Sequence, residues 1–293
     1  MERASAPVAE LDLIAIPGGS TMMGNGSAEG YAEDGEGPAH QVRLSAFRLG
    51  RCAVTNALFA HFVDATGYVT EAERFRWSFV FAGLLPDDFP ATRAVADAPW
   101  WRQVFGADWR HPEGPQSSLE GRERHPVVHV SWADAAAFCE WSGTRLPTEA
   151  EWEFAARGGR EQDHYPWGNE LEPGGEHRMN VFQGQFPAEN TVADGYAGVA
   201  PADEFPPNGY GLHNTTGNVW EWCADWFDPG YYRSSPPVDP QGPEGGTHRI
   251  MRGGSYLCHE SYCYRYRVDA RSGNTPDASA GNVGFRVAAA ASE

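Results

Sequence analysis

The chain is poor in basic residues. It sets 22 Lys and Arg against 40 Asp and Glu, for a formal net charge of -18, so it has no basic field with which to displace counterions from a phosphate backbone, and nucleic acid is not an expected partner. It also lacks any apolar run approaching the roughly 20 residues of a membrane span. Its first stretch, MERASAPVAELDLIAIPGG, has no continuous apolar core of signal-peptide length. A soluble protein with no membrane partner is expected. Cysteine is scarce and odd in number, five in 293 residues. That disfavours a disulfide framework and favours free thiols or metal ligands in a reducing cytoplasm. No period of about 20 to 50 residues repeats and no low-complexity tract interrupts the chain, which excludes a solenoid and a visible linker.

What is present is material for one core. Hydrophobic residues make up 41% and aromatics 13%, enough apolar surface to offset the entropy of ordering. A single domain is expected over residues 1–293, with 1–9 flexible and 288–293 a tail. With Gly at 34 and Pro at 22, turns and long connections should outweigh regular structure. The expected class is α+β, with a few helices, short antiparallel strands and long loops. Leu11 to Pro17 reads as a strand, followed by a Gly-rich acidic loop through Gly37 and a strand pair around Gln41 to Ala53. Thr55 can cap a helix with Leu58, Phe59, Phe62 and Val63 on one side and Gly67 at its end. Ser131 caps SWADAAAFCEW, where Trp132, Ala136 and Cys139 follow helical spacing before Gly143. Thr148-Glu149-Ala150-Glu151 fits a capping box that opens a further helix with Trp152, Ala155 and Ala156, stopped by Gly158 and Gly159. Beyond Tyr165, turn dipeptides are too dense for another long helix.

The sharpest chemical signal is MRGGSYLCHESYCYRYR, where four residues separate Cys258 from Cys263. In a strand this offset points the side chains to opposite faces, and in a regular helix it parts them by about 140°. Only a bent segment brings them together. The spacing is not Cys-x-x-Cys, so neither a zinc-ribbon half-site nor a thioredoxin-type motif fits. Two converging thiolates without other ligands suit a soft ion, and Cu(I) tolerates the low coordination number that Zn(II) resists. From spacing alone, inert core thiols and a redox disulfide remain open as well. His125 and His129 are four apart, but HPVVHV reads as strand, which would hold the rings roughly 13 Å apart and make them structural. GNGSAEG misses the dinucleotide-binding glycine pattern, and its acidity makes a poor phosphate cradle. Cys139 lies on a helix stripe, Cys223 among tryptophans and Cys52 in a strand-like run. All three are expected to be buried, inert thiols.

The text around the cysteine pair carries a resemblance. GGSYLCHESYCYRYRVDARSGNTPDASAGNVGFR, together with WRHPEGP, HPVVHVSW, RLPTEAEWE, FPPNGYGL and GNVWEW, resembles the formylglycine-generating enzymes, also called sulfatase-modifying factors, over nearly the whole chain. RLPTEAEWE and GNVWEW occur across the wider superfamily and speak for the fold, a C-type-lectin-like domain. The cysteine segment speaks for the enzyme. The resemblance implies that Cys258 and Cys263 hold Cu(I) between two thiolates. The cysteine of a Cys-x-Pro-x-Arg sequence in an unfolded sulfatase polypeptide would add as a third thiolate. It would then be oxidised by O2, with an external thiol reductant, to Cα-formylglycine. It further implies that Ser255 lies in the oxygen pocket, and that Trp100, Trp101 and Asn282 line the peptide groove. Two Ca2+ sites are also implied: Asn180 and Asp194 with the backbone oxygens of Val181 and Tyr196, and Asn214 and Glu221 with those of Gly217 and Val219. Secreted members carry a structural disulfide near Cys139. Here Val287 stands where the partner would be, in keeping with a cytoplasmic monomer. The competing reading is a noncatalytic peptide- or ligand-binding member of the same fold.

Overall fold

The computed structural model describes residues 11–27 and 29–291, so the flexible end expected at 1–9 lies outside the described residues. In chain order the elements are β1 (Leu13–Ile16), β2 (Gly19–Met23), β3 (His40–Leu44), β4 (Phe47–Gly50), α1 (Asn56–Thr66), α2 (Glu71–Phe75), β5 (Trp77–Phe81), β6 (Arg93–Val95), β7 (Ala98–Phe105), α3 (Trp132–Ser142), α4 (Glu149–Ala156), β8 (Gly184–Gln185), β9 (Glu189–Asn190), β10 (Trp220–Trp226), β11 (Arg249–Arg252), β12 (Arg271–Asn274), β13 (Val283–Gly284) and β14 (Ala288–Ala290). The class is α+β with little regular structure, as expected, and its helices stand where local chemistry puts them. Thr55 caps α1 by accepting from Leu58 N, and Gly67 ends it in the left-handed conformation. Ser131 with Asp134 and Thr148 with Glu151 form reciprocal capping boxes on α3 and α4. A third box, Thr70 with Glu73, opens the short α2.

The strands form small sheets in the orders β1-β4-β14, β2-β3, β5-β7-β6, β12-β11-β10-β13 and β8-β9. Four expectations change. Gly19–Met23, expected within the loop after the first strand, form β2. The strands expected within 41–53 exist, but they do not pair with each other. Ser45, between them, is held outward by Asp239, whose carboxylate accepts from its N–H at 2.7 Å and its hydroxyl at 2.8 Å. β3 therefore pairs with β2, and β4 with β1. Residues 288–290, expected to start a tail, add β14 to the free edge of β4, where unpaired backbone groups would otherwise face water. HPVVHV is not a strand. His129 adopts a left-handed φ of 58°, which breaks the extended run and turns its ring into the interior.

An aromatic core fills the space between α1 and α3. Phe59 meets Phe62 at 5.4 Å and Trp109 at 5.2 Å, and Phe138 meets Phe285 at 5.4 Å, all edge-on. Cys258 and Cys263 belong to this same cluster. Beside it lies a frame of buried ion pairs. The chain has no lysine, so each of its 22 basic residues is an arginine, the side chain whose planar fork suits buried carboxylates. Arg252, Arg267, Arg271 and Arg286 are fully buried. Arg271 donates to both oxygens of Glu149 at 2.7 and 2.9 Å. Arg252 bridges Glu149 and Glu153, one turn apart on α4. Arg286 grips Glu221 with two bonds of 2.6 Å, and Arg267 grips Glu36 at 2.8 and 2.7 Å. Arg252 stands immediately before the cysteine segment, and Arg267 and Arg271 follow it. The irregular loop is clamped at both ends.

Candidate active site

Between those clamps the chain turns at Gly253 and Gly254, with φ of 92° and 71°. A Cβ at Gly253 would stand 3.0 Å from Thr215 O, and one at Gly254 would stand 2.9 Å from Arg265 O. Both positions therefore require glycine for conformation and for space. Cys258 N–H then donates to Ser255 O at 2.9 Å, and His259 O accepts from Tyr262 N at 2.9 Å and Cys263 N at 2.7 Å. This tight turn is the bend the spacing demands, and it brings the two thiols into hydrogen-bond contact. Both are buried, at 1% and 7% exposure. Burial pushes the Cys258 thiol up, and its hydrogen bond to Cys263 keeps the proton there. Cys263 is held below the ordinary thiol range by that same hydrogen bond and by the Arg265 guanidinium and N–H. Of the two thiols, Cys263 is the more readily ionised. Arg265 is itself steadied by an ion pair to Asp34 and by stacking 3.8 Å over Tyr31.

The pair sits on the wall of a cavity of about 600 Å3. Ser255, Trp101 and Asn282 share that wall, so five of the six expected catalytic and groove residues converge. Ser255 Oγ accepts from Asn282 Nδ2 at 2.9 Å and from Leu257 N at 3.3 Å. Its own proton is thereby left for the Cys258 sulfur, with which it bonds. Trp100 is the exception. It is not among the lining residues, because neighbouring side chains on β7 point to opposite faces. Its ring packs edge-on against Tyr262 at 4.8 Å and Phe186 at 5.2 Å, behind the wall.

Several lining residues were not anticipated: Tyr262, Arg265, Asp277, and the aromatic face of Phe75, Trp77 and Phe79. The last had a visible signal, an aromatic at every second position from 75 to 81. His129 is structural, as expected. Its Nε2 donates to Pro112 O at 2.8 Å, so Nδ1 is the acceptor for Ser78 Oγ at 2.8 Å, and burial lowers the imidazole to about 4. Cys139 and Cys223 are buried, with burial raising both thiols. Cys52 differs from expectation in being half-buried, at a bend just beyond β4.

Of the two expected cation sites, the first has the chemistry of a hard-ion site. Asn180 Oδ1 is buried with no hydrogen-bond partner, while its Nδ2 donates to Gly198 O and Asn218 Oδ1. Asp194 is raised by burial, and its oxygens accept from the Val181 and Tyr196 N–H groups. An orphaned amide oxygen and a half-buried carboxylate without an arginine suit Ca2+. At the second, Asn214 Oδ1 is also orphaned, near Gly217 and Val219. Glu221, however, is neutralised by Arg286 and accepts from Trp152 Nε1 at 2.7 Å, so it brings no unbalanced charge. For the cysteine pair, no group of three or more His, Cys, Asp or Glu assembles among the described residues. The chain offers two soft ligands, too few for a tetrahedral zinc centre and compatible with Cu(I).

The model of the sulfatase-modifying factor enzyme 1-like domain matches residues 2–291. The chain belongs to that family. A formylglycine-generating enzyme of Thermomonospora curvata is 58% identical over 281 residues, covering 94% of this chain and 93% of the relative. A Bos taurus relative named inactive C-alpha-formylglycine-generating enzyme 2 is 43% identical over 286 residues, covering 96% and 89%. The relatives thus include proteins named for formylglycine generation and one named inactive. Among solved structures, PvdO of Pseudomonas aeruginosa shares the fold with a TM-score of 0.69 at 23% identity, covering 99% of this chain and 98% of that one.

Proposed function

We propose that the chain converts the cysteine of a Cys-x-Pro-x-Arg sequence in an unfolded sulfatase polypeptide to Cα-formylglycine, with copper held by Cys258 and Cys263 and dioxygen as oxidant. The observation that carries this reading is two buried thiols in mutual contact on the wall of a peptide-sized cavity. The name of the Thermomonospora curvata relative supports it.

The conversion replaces the C–S bond of the substrate β-carbon by C=O and releases sulfide, a two-electron oxidation. Dioxygen takes up four electrons in giving one oxygen atom to the aldehyde and one to water. Two further electrons must therefore come from a reductant, and a pair of external thiols going to a disulfide balances the reaction. Copper(I) bound by the two cysteine sulfurs would supply the redox centre at which dioxygen and the substrate thiol meet. The chain's own residues do the positioning. Cys263 offers the more acidic sulfur, Cys258 its hydrogen-bonded partner, and Ser255 a hydroxyl fixed by Asn282. Trp101 and Tyr262 supply apolar surface that excludes water around the sulfurs. Ca2+ at Asn180 and Asp194 would brace the loop whose Phe182 N–H donates to Cys258 O at 3.1 Å. No helix among the described residues is long and apolar enough to cross a membrane. All five cysteines are free, which supports action in a reducing compartment such as the cytoplasm.

Incubation of the copper-loaded protein with a Cys-Thr-Pro-Ser-Arg peptide, thiol reductant and O2 is expected to yield an aldehyde detectable by mass spectrometry, and Cys263→Ala to yield none. Absence of product with the wild type, or full activity in Cys263→Ala, would overturn the reading.

A further inference from the structure

The β5-β7-β6 sheet breaks a rule of antiparallel sheets. One face ordinarily packs on the core while the other carries polar residues to water. Here the inner face is regular, with Ser78, Val80 and Val104 buried. The outer face carries an aromatic row along β5, with Trp101 and Phe105 of β7 beside it and Gln103 and Arg93 as its polar members. Register pairs Phe81 with Trp101, Phe79 with Gln103 and Trp77 with Phe105, so these side chains share one side. Phe75 continues the row, its ring 6.4 Å from Trp77.

The face runs from the interior to the surface. At the inner end, Phe81 packs with Tyr256 and Leu257, next to Cys258. Phe79 and Trp77 form one side of the cavity that holds the cysteines. At the outer end Phe105 is 66% exposed and Phe75 44%, and these are two of five large hydrophobic residues exposed among the described ones. The free edge of β5 is closed, because Gly281 N–H donates to Phe79 O at 2.9 Å and Ser78 and Ser279 hydroxyls bond at 2.8 Å. The segment around Ser279 and Ala280 therefore continues the sheet beyond β5, and with Thr275 and Asp277 it gives the cavity a rim of small and polar side chains. A cleft with an aromatic floor and a narrow polar rim accepts an extended chain.

We infer that the outer part of this aromatic face, ending at Phe105 and Phe75, is a docking surface for an apolar side chain of the substrate polypeptide that lies outside the sequence around the reacting cysteine. The inference rests on the proposed function for the identity of the polypeptide, and the continuity of the face with the cysteine cavity commits it to that occupant. From Trp101 to Phe105 the strand advances about 13 Å, so the docked side chain sits roughly four or more residues from the reacting cysteine. A folded protein buries such a side chain and an unfolded one presents it. The surface thus selects the unfolded state of the substrate.

The test measures binding apart from chemistry. Fluorescent peptides with Ser in place of the reacting cysteine carry Leu or Ser at four to six residues from it, on the N-terminal or the C-terminal side. Anisotropy is expected to show roughly 10-fold tighter binding for Leu on one side, the effect of burying one large apolar side chain. That preference is expected to vanish in Phe105→Ser and to persist in Val238→Ser, which removes an exposed apolar residue elsewhere. Equal affinities for Leu and Ser peptides on both sides would overturn the inference. So would a concentration-dependent dimer, seen by sedimentation and dissolved by Phe105→Ser, because the occupant would then be a second copy. Aldehyde formation on the matching cysteine peptides is scored separately, so failure of the chemistry with the Leu preference intact strikes the proposed function and leaves the docking surface standing.

Discussion

Helix α4 and the cysteine loop meet at Arg252, yet they treat buried polar groups in opposite ways. On α4 each carboxylate is saturated from within. Glu149 accepts from Arg252, Arg271 and Tyr232, and Glu153 from Arg157, Arg252 and Gly24 N–H. In the loop, by contrast, the sulfurs of Cys258 and Cys263 and the hydroxyl of Ser255 border a cavity. In the first region the buried carboxylates already have their partners, whereas the second opens on a cavity. Damage to α4 should register as stability, and damage to the loop as binding and turnover.

The largest stability effect should follow Arg271→Ala, which leaves Glu149 buried beside fewer cations and is expected to cost about 3 to 5 kcal/mol. Denaturant unfolding checks this, and a loss below about 1 kcal/mol would show that the frame is not saturated in the sense argued. Acid should act next. His129 is held near 4 in the folded chain against about 6.5 when unfolded. The unfolded state alone takes up the proton between those values, so stability should fall as pH drops from about 6.5 to 4. The loss attributable to His129 is about 3 kcal/mol, and His129→Gln should flatten the slope over that window. Calcium sharpens the contrast within the cation sites. At calcium a hundredfold above its Kd, the wild type should gain about 2.7 kcal/mol and Asp194→Ala nothing. Glu221→Gln should instead lose stability with or without the ion, because it breaks the pair with Arg286. The smallest effect separates neighbours on β7. Trp101→Ala should raise KM for a peptide roughly 10-fold, equivalent to about 1.4 kcal/mol. Trp100→Ala should act on stability through Tyr262 and Phe186.

What could be read from the sequence was local. The Thr148-Glu149-Ala150-Glu151 box announced α4 because its hydrogen bonds close within three residues. The same four letters at Thr70-Glu71-Ala72-Glu73 build α2, and that repetition passed unread. The cysteine pair was legible as a bend, since no regular element brings residues five apart together. The partners of the arginines were not, because Arg252 and Arg271 reach α4 across 103 and 122 residues, and no spacing rule spans that distance. Trp100 and Trp101 look equivalent in sequence until the strand that separates their faces is known. The ligand types of the first expected cation site came from the resemblance, and the orphaned Asn180 Oδ1 depends on packing that sequence does not show. That Glu221 in the second is balanced by Arg286 depended on contact across 65 residues.

On the proposed function, the loop takes a soft ion on two sulfurs, whereas the buried carboxylates of α4 are met by side chains of the protein. An anaerobic Cu(I) titration followed by X-ray absorption, with thermal unfolding of the same samples, tests it most directly. One tightly held copper per chain with two sulfur neighbours is expected. That copper should be lost in Cys263→Ser, with stability changed by no more than about 1 kcal/mol, and retained by folded Arg271→Ala. Stoichiometric copper with sulfur ligation in a variant lacking both Cys258 and Cys263, or no copper in the folded wild type, would contradict it.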